Sequence, residues 1–119
     1  MGKALDLVRG DTAYILIGPL EKQATATTWA VPDFTGATPR LVIRDVTTRG
    51  LLYARAGSFT ANGGDVVAGI GAFSQLAADF AGSGADAEAE VEVTYASGLV
   101  ETFPKGPAKH PVLITDDLD

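Results

Sequence analysis

Three glutamates at alternate positions are the residues of this sequence whose type and spacing could serve catalysis or metal binding. Glu88, Glu90 and Glu92 lie about 7 Å apart in succession if the segment is extended. Paired carboxylates carry out acid–base catalysis in glycosidases and bind calcium in metal sites. Catalytic carboxylates, however, occupy clefts in which burial separates their pKa values, whereas a regular row on a strand is typical of a solvated face. We therefore expect a solvated face, with no catalytic residue and no metal site.

The other candidates for chemistry are isolated. His110 is the only histidine and cysteine is absent, which excludes a multi-histidine metal site, a zinc–thiolate site and disulfides. No serine lies in a Gly-x-Ser-x-Gly elbow. Gly63-Gly64 and the Gly69-x-Gly71 pair lack the remaining residues of a phosphate or dinucleotide loop, and we interpret them as turn glycines. The expectation is a protein that is not an enzyme and binds no cofactor.

The glutamates belong to a segment, residues 86–95, that alternates polar side chains, four acids and Thr94, with apolar or aromatic ones without a slip. This period of two predicts a strand with one wet and one buried face. Ala96-Ser97-Gly98 and then residues 99–103 follow, which predicts a β-hairpin. If residues 38–46 form the neighbouring strand, Arg40 and Arg44 face the glutamates across the ladder.

The turn of this hairpin leaves two registers open. A two-residue turn at Ser97-Gly98 places Leu99 and Phe103 on the acidic outer face, where exposed apolar residues indicate a contact surface. A three-residue loop with a glycine bulge slips the register by one residue and returns both to the core, but it buries Glu101 unless that residue lies at the rim of the sheet. The size of Phe103 slightly favours the second register.

Aromatic residues provide the other candidate surface. Trp29, Phe34 and Tyr95 fit core positions better than a carbohydrate platform. Trp29 lies in a segment that the sequence defines poorly, so it joins Leu99 and Phe103 as a possible interface residue.

The rest of the chain predicts further short strands separated by glycine and proline turns, and one short helical turn over Ser74–Phe80. No crossover helices are available for a βαβ fold. We therefore predict one all-β domain, residues 1–115, folded as an immunoglobulin-like antiparallel β-sandwich of about seven or eight strands. Residues 116–119 form an acidic C-terminal tail.

Charge and hydropathy exclude several classes of function. The net charge of −6 gives no basic face for phosphates, so we expect no nucleic-acid partner. No apolar run reaches the roughly 18 residues of a membrane span, and the first residues lack the apolar core of a signal peptide. We expect no membrane association.

The order of several short motifs resembles a known family. Residues 7–12 open a strand with Gly-Asp, Phe34-Thr35-Gly36-Ala37-Thr38 leads into a strand ending in Arg44, and Ser97-Gly98 closes the late hairpin. This order resembles the immunoglobulin-like N-terminal domain of the baseplate upper proteins of tailed bacteriophages and related small phage tail and fibre domains. Phe34 stands where that pattern has leucine, and Ser97 where it has aspartate.

The resemblance implies a non-enzymatic structural or adaptor protein of the phage particle, in the tail, baseplate or fibre attachment. It implies other virion proteins as partners, homo-oligomers in the particle and a location in the virion after synthesis in the bacterial host cytoplasm. Two alternatives remain open at this point: a head or neck decoration protein, and a stand-alone module that binds carbohydrate or a host surface through Trp29.

Overall fold

Strands form all the regular structure in the part of the chain that the structure describes. The structure is a computed structural model, and it describes residues 5–8, 10–76, 78–80, 86–105 and 109–115. The strands are β1 (Leu5–Val8), β2 (Ile15–Ile17), β3 (Lys22–Gln23), β4 (Trp29–Ala30), β5 (Thr38–Asp45), β6 (Leu51–Ala56), β7 (Gly71–Phe73), β8 (Asp86–Thr94), β9 (Val100–Phe103) and β10 (His110–Thr115). The prediction of an all-β chain is confirmed for these residues.

The alternating strand β8 is the centre of a six-stranded sheet. The order is β1-β10-β8-β5-β6, and β9 also pairs with β8. One edge of β8 pairs with β5 along most of its length, whereas the other edge pairs first with β10 and then with β9. β9 ends at Phe103 and β10 begins at His110, and the two strands lie end to end beside β8.

The period of two sorts the side chains of β8 as the sequence predicts. Ala87, Ala89, Val91 and Val93 are buried, and the glutamates between them lie on the opposite face. Two further sheets, β2–β7 and β3–β4, complete the strands. The core cluster combines the buried face of β8 with apolar residues of β2, β5, β7 and the loops, among them Ile15, Ile17, Leu20, Phe34, Leu41, Ile43, Phe59 and Phe73.

Pairing of the first strand corrects the antiparallel prediction. β1 runs parallel to β10, with Leu5 opposite Val112 and Leu7 opposite Ile114, so the large sheet is mixed. This pairing buries Leu7, Val112 and Ile114 together in the core. No local pattern signals it, because the two strands lie at opposite ends of the sequence.

The predicted helical turn at Ser74–Phe80 is wrong. The described residues of this segment form a hydrogen-bonded turn, with the N–H of Asp79 donating to the carbonyl of Leu76 at 3.0 Å. The Ser74 carbonyl, which would accept the first helical bond, instead accepts from the Tyr53 hydroxyl at 2.6 Å and from Arg55 at 2.8 Å. Phe80 has a φ of 65°, outside the helical region, and stacks on Tyr53.

A short hairpin contains Trp29, in the segment that the sequence defines poorly. β3 and β4 pair antiparallel, with Lys22 opposite Ala30 and Gln23 opposite Trp29. The loop between them is closed by backbone and hydroxyl contacts, including a 2.7 Å hydrogen bond between the Thr25 and Thr28 hydroxyls. The acidic segment predicted as a tail, residues 116–119, lies outside the described residues.

Candidate functional site

Each glutamate of the alternating row is held by a cation on the outer face of the large sheet. Glu88 pairs with Arg49 at 2.8 Å, Glu90 with Lys109 at 2.5 Å and Glu92 with Arg40 at 3.0 Å. These pairs are part-exposed, so each contributes at most about 1 kcal/mol to stability. A carboxylate already neutralised by an ammonium or guanidinium group is a poor ligand for calcium.

The predicted positions of Arg40 and Arg44 opposite the glutamates are confirmed, but only Arg40 forms an ion pair with the glutamate that it faces. Arg40 lies opposite Glu92 and Arg44 lies opposite Glu88. Glu88, however, pairs with Arg49, which the β5–β6 turn brings over it. Arg49 has a φ of 65° in this turn, and its backbone N–H donates to the carbonyl of Asp45 at 2.9 Å.

His110 faces the core beside β9. It lies opposite Ala89, and its Nδ1 is buried without a hydrogen-bond partner in the described part of the chain. Burial disfavours the imidazolium form and lowers the pKa of His110 below 6.5. Among the described residues, no group of three or more histidine, aspartate and glutamate side chains could hold a metal ion.

A glycine bulge sets the register of the β8–β9 hairpin. The N–H of Tyr95 donates to the Leu99 carbonyl at 2.8 Å and the N–H of Gly98 to the Tyr95 carbonyl at 2.9 Å. Gly98 has a φ of 93°, the left-handed conformation that a three-residue loop requires at its last position. Val91 consequently lies opposite Phe103 and Val93 opposite Glu101, which is the slipped register.

The three predicted interface residues separate in the structure. Phe103 is 1% exposed and packs edge-on against Phe34, with ring centroids 5.8 Å apart. Leu99 is 70% exposed, because it follows the loop beyond the end of the core, and Trp29 is 54% exposed. Phe103 is therefore a core residue, and Trp29 and Leu99 lie on the surface. The core placement expected for Leu99 in the slipped register is wrong.

Glu101 connects the β8–β9 hairpin to the β3–β4 hairpin. Its carboxylate accepts a hydrogen bond from the Tyr95 hydroxyl, and pairs with Lys105 at 2.8 Å and Lys22 at 3.2 Å. Hydrogen bonds from Lys105 and Tyr95 hold the pKa of Glu101 at about 2, below its ordinary 4.5. Burial, together with the carboxylate of Glu101, raises the pKa of the Tyr95 phenol.

Two open cavities lie near Glu101 and the two lysines that bind it. A cavity of about 380 Å³ is lined by Trp29, Phe103, Pro104 and Lys105 together with Pro19, Leu20 and Glu21. A second cavity, of about 580 Å³, is lined by Lys22, Pro32, Asp33, Tyr95, Ser97, Leu99, Val100 and Glu101. We define the hairpin-end surface as these two cavities with Trp29, Leu99 and Val100 at their margins.

The sequence indicated part of this surface. It singled out Trp29 and Leu99, and in the slipped register it left Glu101 either buried or at the rim of the sheet. It missed Val100, which is 59% exposed, and the lysines that hold Glu101. The four-residue spacing of Glu101 and Lys105 was a local signal for one of these pairs, whereas Lys22 is distant in sequence and gave no signal.

No described helix is long and apolar enough to cross a membrane. Comparison with known protein families gives no match to the sequence, and a search among curated proteins likewise finds no significant match. Proposals about function therefore depend on the hairpin-end surface, on the fold and on the sequence resemblance described above.

Proposed function

We propose that this chain is a non-enzymatic structural or adaptor protein of a tailed bacteriophage particle, and that it acts through protein–protein contacts. The observation that carries the contact role is the hairpin-end surface. Trp29, Leu99 and Val100 are large apolar side chains that are each more than half exposed beside open cavities. Apolar residues rimmed by charged ones are typical of interaction sites.

The strand order supports an immunoglobulin-like arrangement for this adaptor. In such sandwiches the strands called C, F and G share one sheet, with C′ added at the edge in variable-type domains, and B pairs with E in the other sheet. The order β10-β8-β5-β6, with β9 continuing the ladder of β10, fits G, F, C and C′. The β2–β7 pair fits B and E.

The phage assignment depends on the sequence resemblance and places the protein in the virion, with other virion proteins and further copies of itself as partners. It is tested by mass spectrometry of particles purified from a culture of the host that carries the gene. We expect the protein in the particles at a fixed ratio to the major tail proteins. Its absence from intact particles, with the protein present in the lysate, would refute the assignment.

A carbohydrate- or host-surface-binding module is the second candidate, because of one observation. The exposed Trp29 ring borders a cavity that Glu21 and Lys105 also line. A flat aromatic face beside polar groups is a suitable binding surface for a sugar ring. Binding of the monomeric protein to a glycan array, abolished by Trp29→Ala, would favour this candidate, whereas the adaptor proposal predicts no glycan binding.

A further inference from the structure

The edge of β9 is open in the middle of the hairpin-end surface. β9 pairs with β8 along one edge, and no described strand pairs along the other. Because Tyr95 and Leu99 form a hydrogen-bonded pair, the alternation of an antiparallel ladder makes Val93–Glu101 and Val91–Phe103 the next such pairs. The N–H and carbonyl groups of Val100 and Thr102 therefore point away from β8.

The two cavities are arranged around this edge at strand spacing. Glu101 faces the core side of the sheet, and so do Leu99 and Phe103, which lie two residues before and after it. Leu99 lines the 580 Å³ cavity and Phe103 lines the 380 Å³ cavity. A strand added to β9 thus directs one side chain toward Glu101, and its side chains two positions on either side toward the two cavities.

Self-pairing of β9 is disfavoured by charge. Two copies related by a two-fold axis can pair through β9 in one register that uses the outward groups of both Val100 and Thr102. In that register Val100 pairs with Thr102 of the second copy, and Thr102 pairs with Val100 of the second copy. That register places Glu101 directly opposite Glu101 of the second copy, and each carboxylate is bound to Lys22 and Lys105 of its own chain. Two such groups, each of one carboxylate and two ammonium ions, are both net positive, and like charges at opposed positions destabilise a sheet.

The exposed apolar area of the hairpin-end surface is also too small for an interface between two globular copies. A fully buried aromatic side chain covers at most about 250 Å², and the hairpin-end surface offers one part-exposed tryptophan and two aliphatic residues. A stable interface between globular proteins needs about 800 Å² from each partner. Strand addition obtains its affinity from main-chain hydrogen bonds and needs only side-chain pockets for specificity.

We propose that the open edge of β9 binds an extended segment of a partner protein as an added strand. The segment carries apolar side chains four positions apart, one for each cavity, and a polar residue midway between them that faces Glu101. This inference names the kind of partner for the contact surface of the proposed function, and it depends on that function.

The test uses the whole chain and a fluorescein-labelled peptide, acetyl-Lys-Leu-Thr-Gln-Thr-Leu-Lys-amide, measured by fluorescence anisotropy. The palindromic order presents the same side chains in either strand direction, with the two leucines for the cavities and the glutamine opposite Glu101. We expect saturable binding. The same peptide with the main-chain nitrogens of both threonines and of the glutamine methylated, which removes donors to β9 in either strand direction, or with both leucines replaced by serine, should bind at least tenfold more weakly.

Thr102→Pro tests the same main-chain hydrogen bonds from the side of the protein. It removes the outward N–H of Thr102 without removing a hydrogen bond to β8, and proline is tolerated on the free side of an edge strand. We expect at least a tenfold loss of peptide affinity, whereas Thr102→Val, which keeps the N–H, should bind within a factor of three of the wild type. The thermal midpoints of both variants show whether they are folded.

Three results would overturn the proposal. They are absence of binding at millimolar peptide, equal binding of the methylated and unmethylated peptides, and self-association of the chain that Thr102→Pro abolishes, which would assign the edge to a second copy. The peptide test does not involve the particle. Failure of binding in a protein that is still found in purified particles refutes the strand addition alone.

Discussion

The Tyr95 hydroxyl donates a hydrogen bond to the Glu101 carboxylate across the β8–β9 hairpin, on the core side of the sheet. Lys105 and Lys22 bind the same carboxylate. Together with the Tyr95 hydroxyl, they stabilise its charge on the buried face of the strand. Tyr95 also stacks on Phe34, with ring centroids 6.0 Å apart, so one side chain joins the core to the hairpin-end surface.

Tyr95→Phe should raise the pKa of Glu101 toward its ordinary value, because it removes one of the groups that stabilise the carboxylate. Lys105 and Lys22 remain, so we expect the pKa to stay below 4.5. The free energy of unfolding should fall by about 1 kcal/mol, the size of one hydrogen bond. A carbon-detected NMR titration of Glu101 measures the shift, and an unchanged pKa would contradict the contact.

The same depressed pKa predicts an acid dependence of stability. A carboxyl group with a lower pKa in the folded state contributes stability above its unfolded pKa, 4.5, and this is lost as the pH falls toward the folded value of about 2. Glu101→Gln should therefore show a shallower loss of stability between these pH values. Urea unfolding at several pH values measures it, and parallel pH profiles of variant and wild type would refute the prediction.

Asp79→Asn tests the contact that holds the turn after β7. Arg55 donates to both carboxylate oxygens of Asp79, at 2.9 and 3.2 Å, and the pair is more buried than the pairs of the glutamate row. We expect a loss of about 2 kcal/mol. Glu92→Gln, which breaks the exposed pair with Arg40, is the matched control and should cost about 0.5 kcal/mol or less. Equal losses would contradict this ranking.

His110 predicts a second pH dependence, at higher pH. Because burial lowers its folded pKa below 6.5, the unfolded chain binds a proton first as the pH falls below 6.5. Stability from this residue should therefore decline from pH 6.5 down to the folded pKa and then level off. The thermal midpoint of His110→Gln should change less than that of the wild type over this range, and an identical decline would assign it to other groups.

The strand content was predictable from local patterns, which also reduced the register of the central hairpin to two, and the size of Phe103 slightly favoured the one that is found. Alternation fixes which face of β8 is buried, and the glycine in the loop permits the bulge that sets the partner of Phe103. Leu99 follows the same register but is exposed, because the core ends before it. Sequence patterns report the face of a residue and do not report where the core stops.

Other features depend on contacts between distant segments. The parallel pairing of β1 with β10 and the Lys22–Glu101 pair join residues that no local spacing relates. At Ser74–Phe80 the helical spacing of Leu76 and Phe80 was present, yet Tyr53 and Arg55 take the carbonyl that a helix needs. Tertiary contacts outweigh weak helix propensity in so short a segment.

The central claim is that the hairpin-end surface binds protein partners, and Trp29→Ser with Leu99→Ser tests it most directly. Both side chains are more than half exposed, so the double variant should keep the thermal midpoint of the wild type. Leu113→Ser, a change of a 38% exposed leucine on β10, serves as the control for general loss of surface apolarity.

The measurement is affinity capture of tagged protein from lysates of cells producing the particle, with the captured proteins quantified by mass spectrometry. We predict that wild type and Leu113→Ser capture the same virion proteins, and that the double variant loses at least nine-tenths of them. Undiminished capture by a folded double variant would show that the contacts lie elsewhere, and would contradict the account.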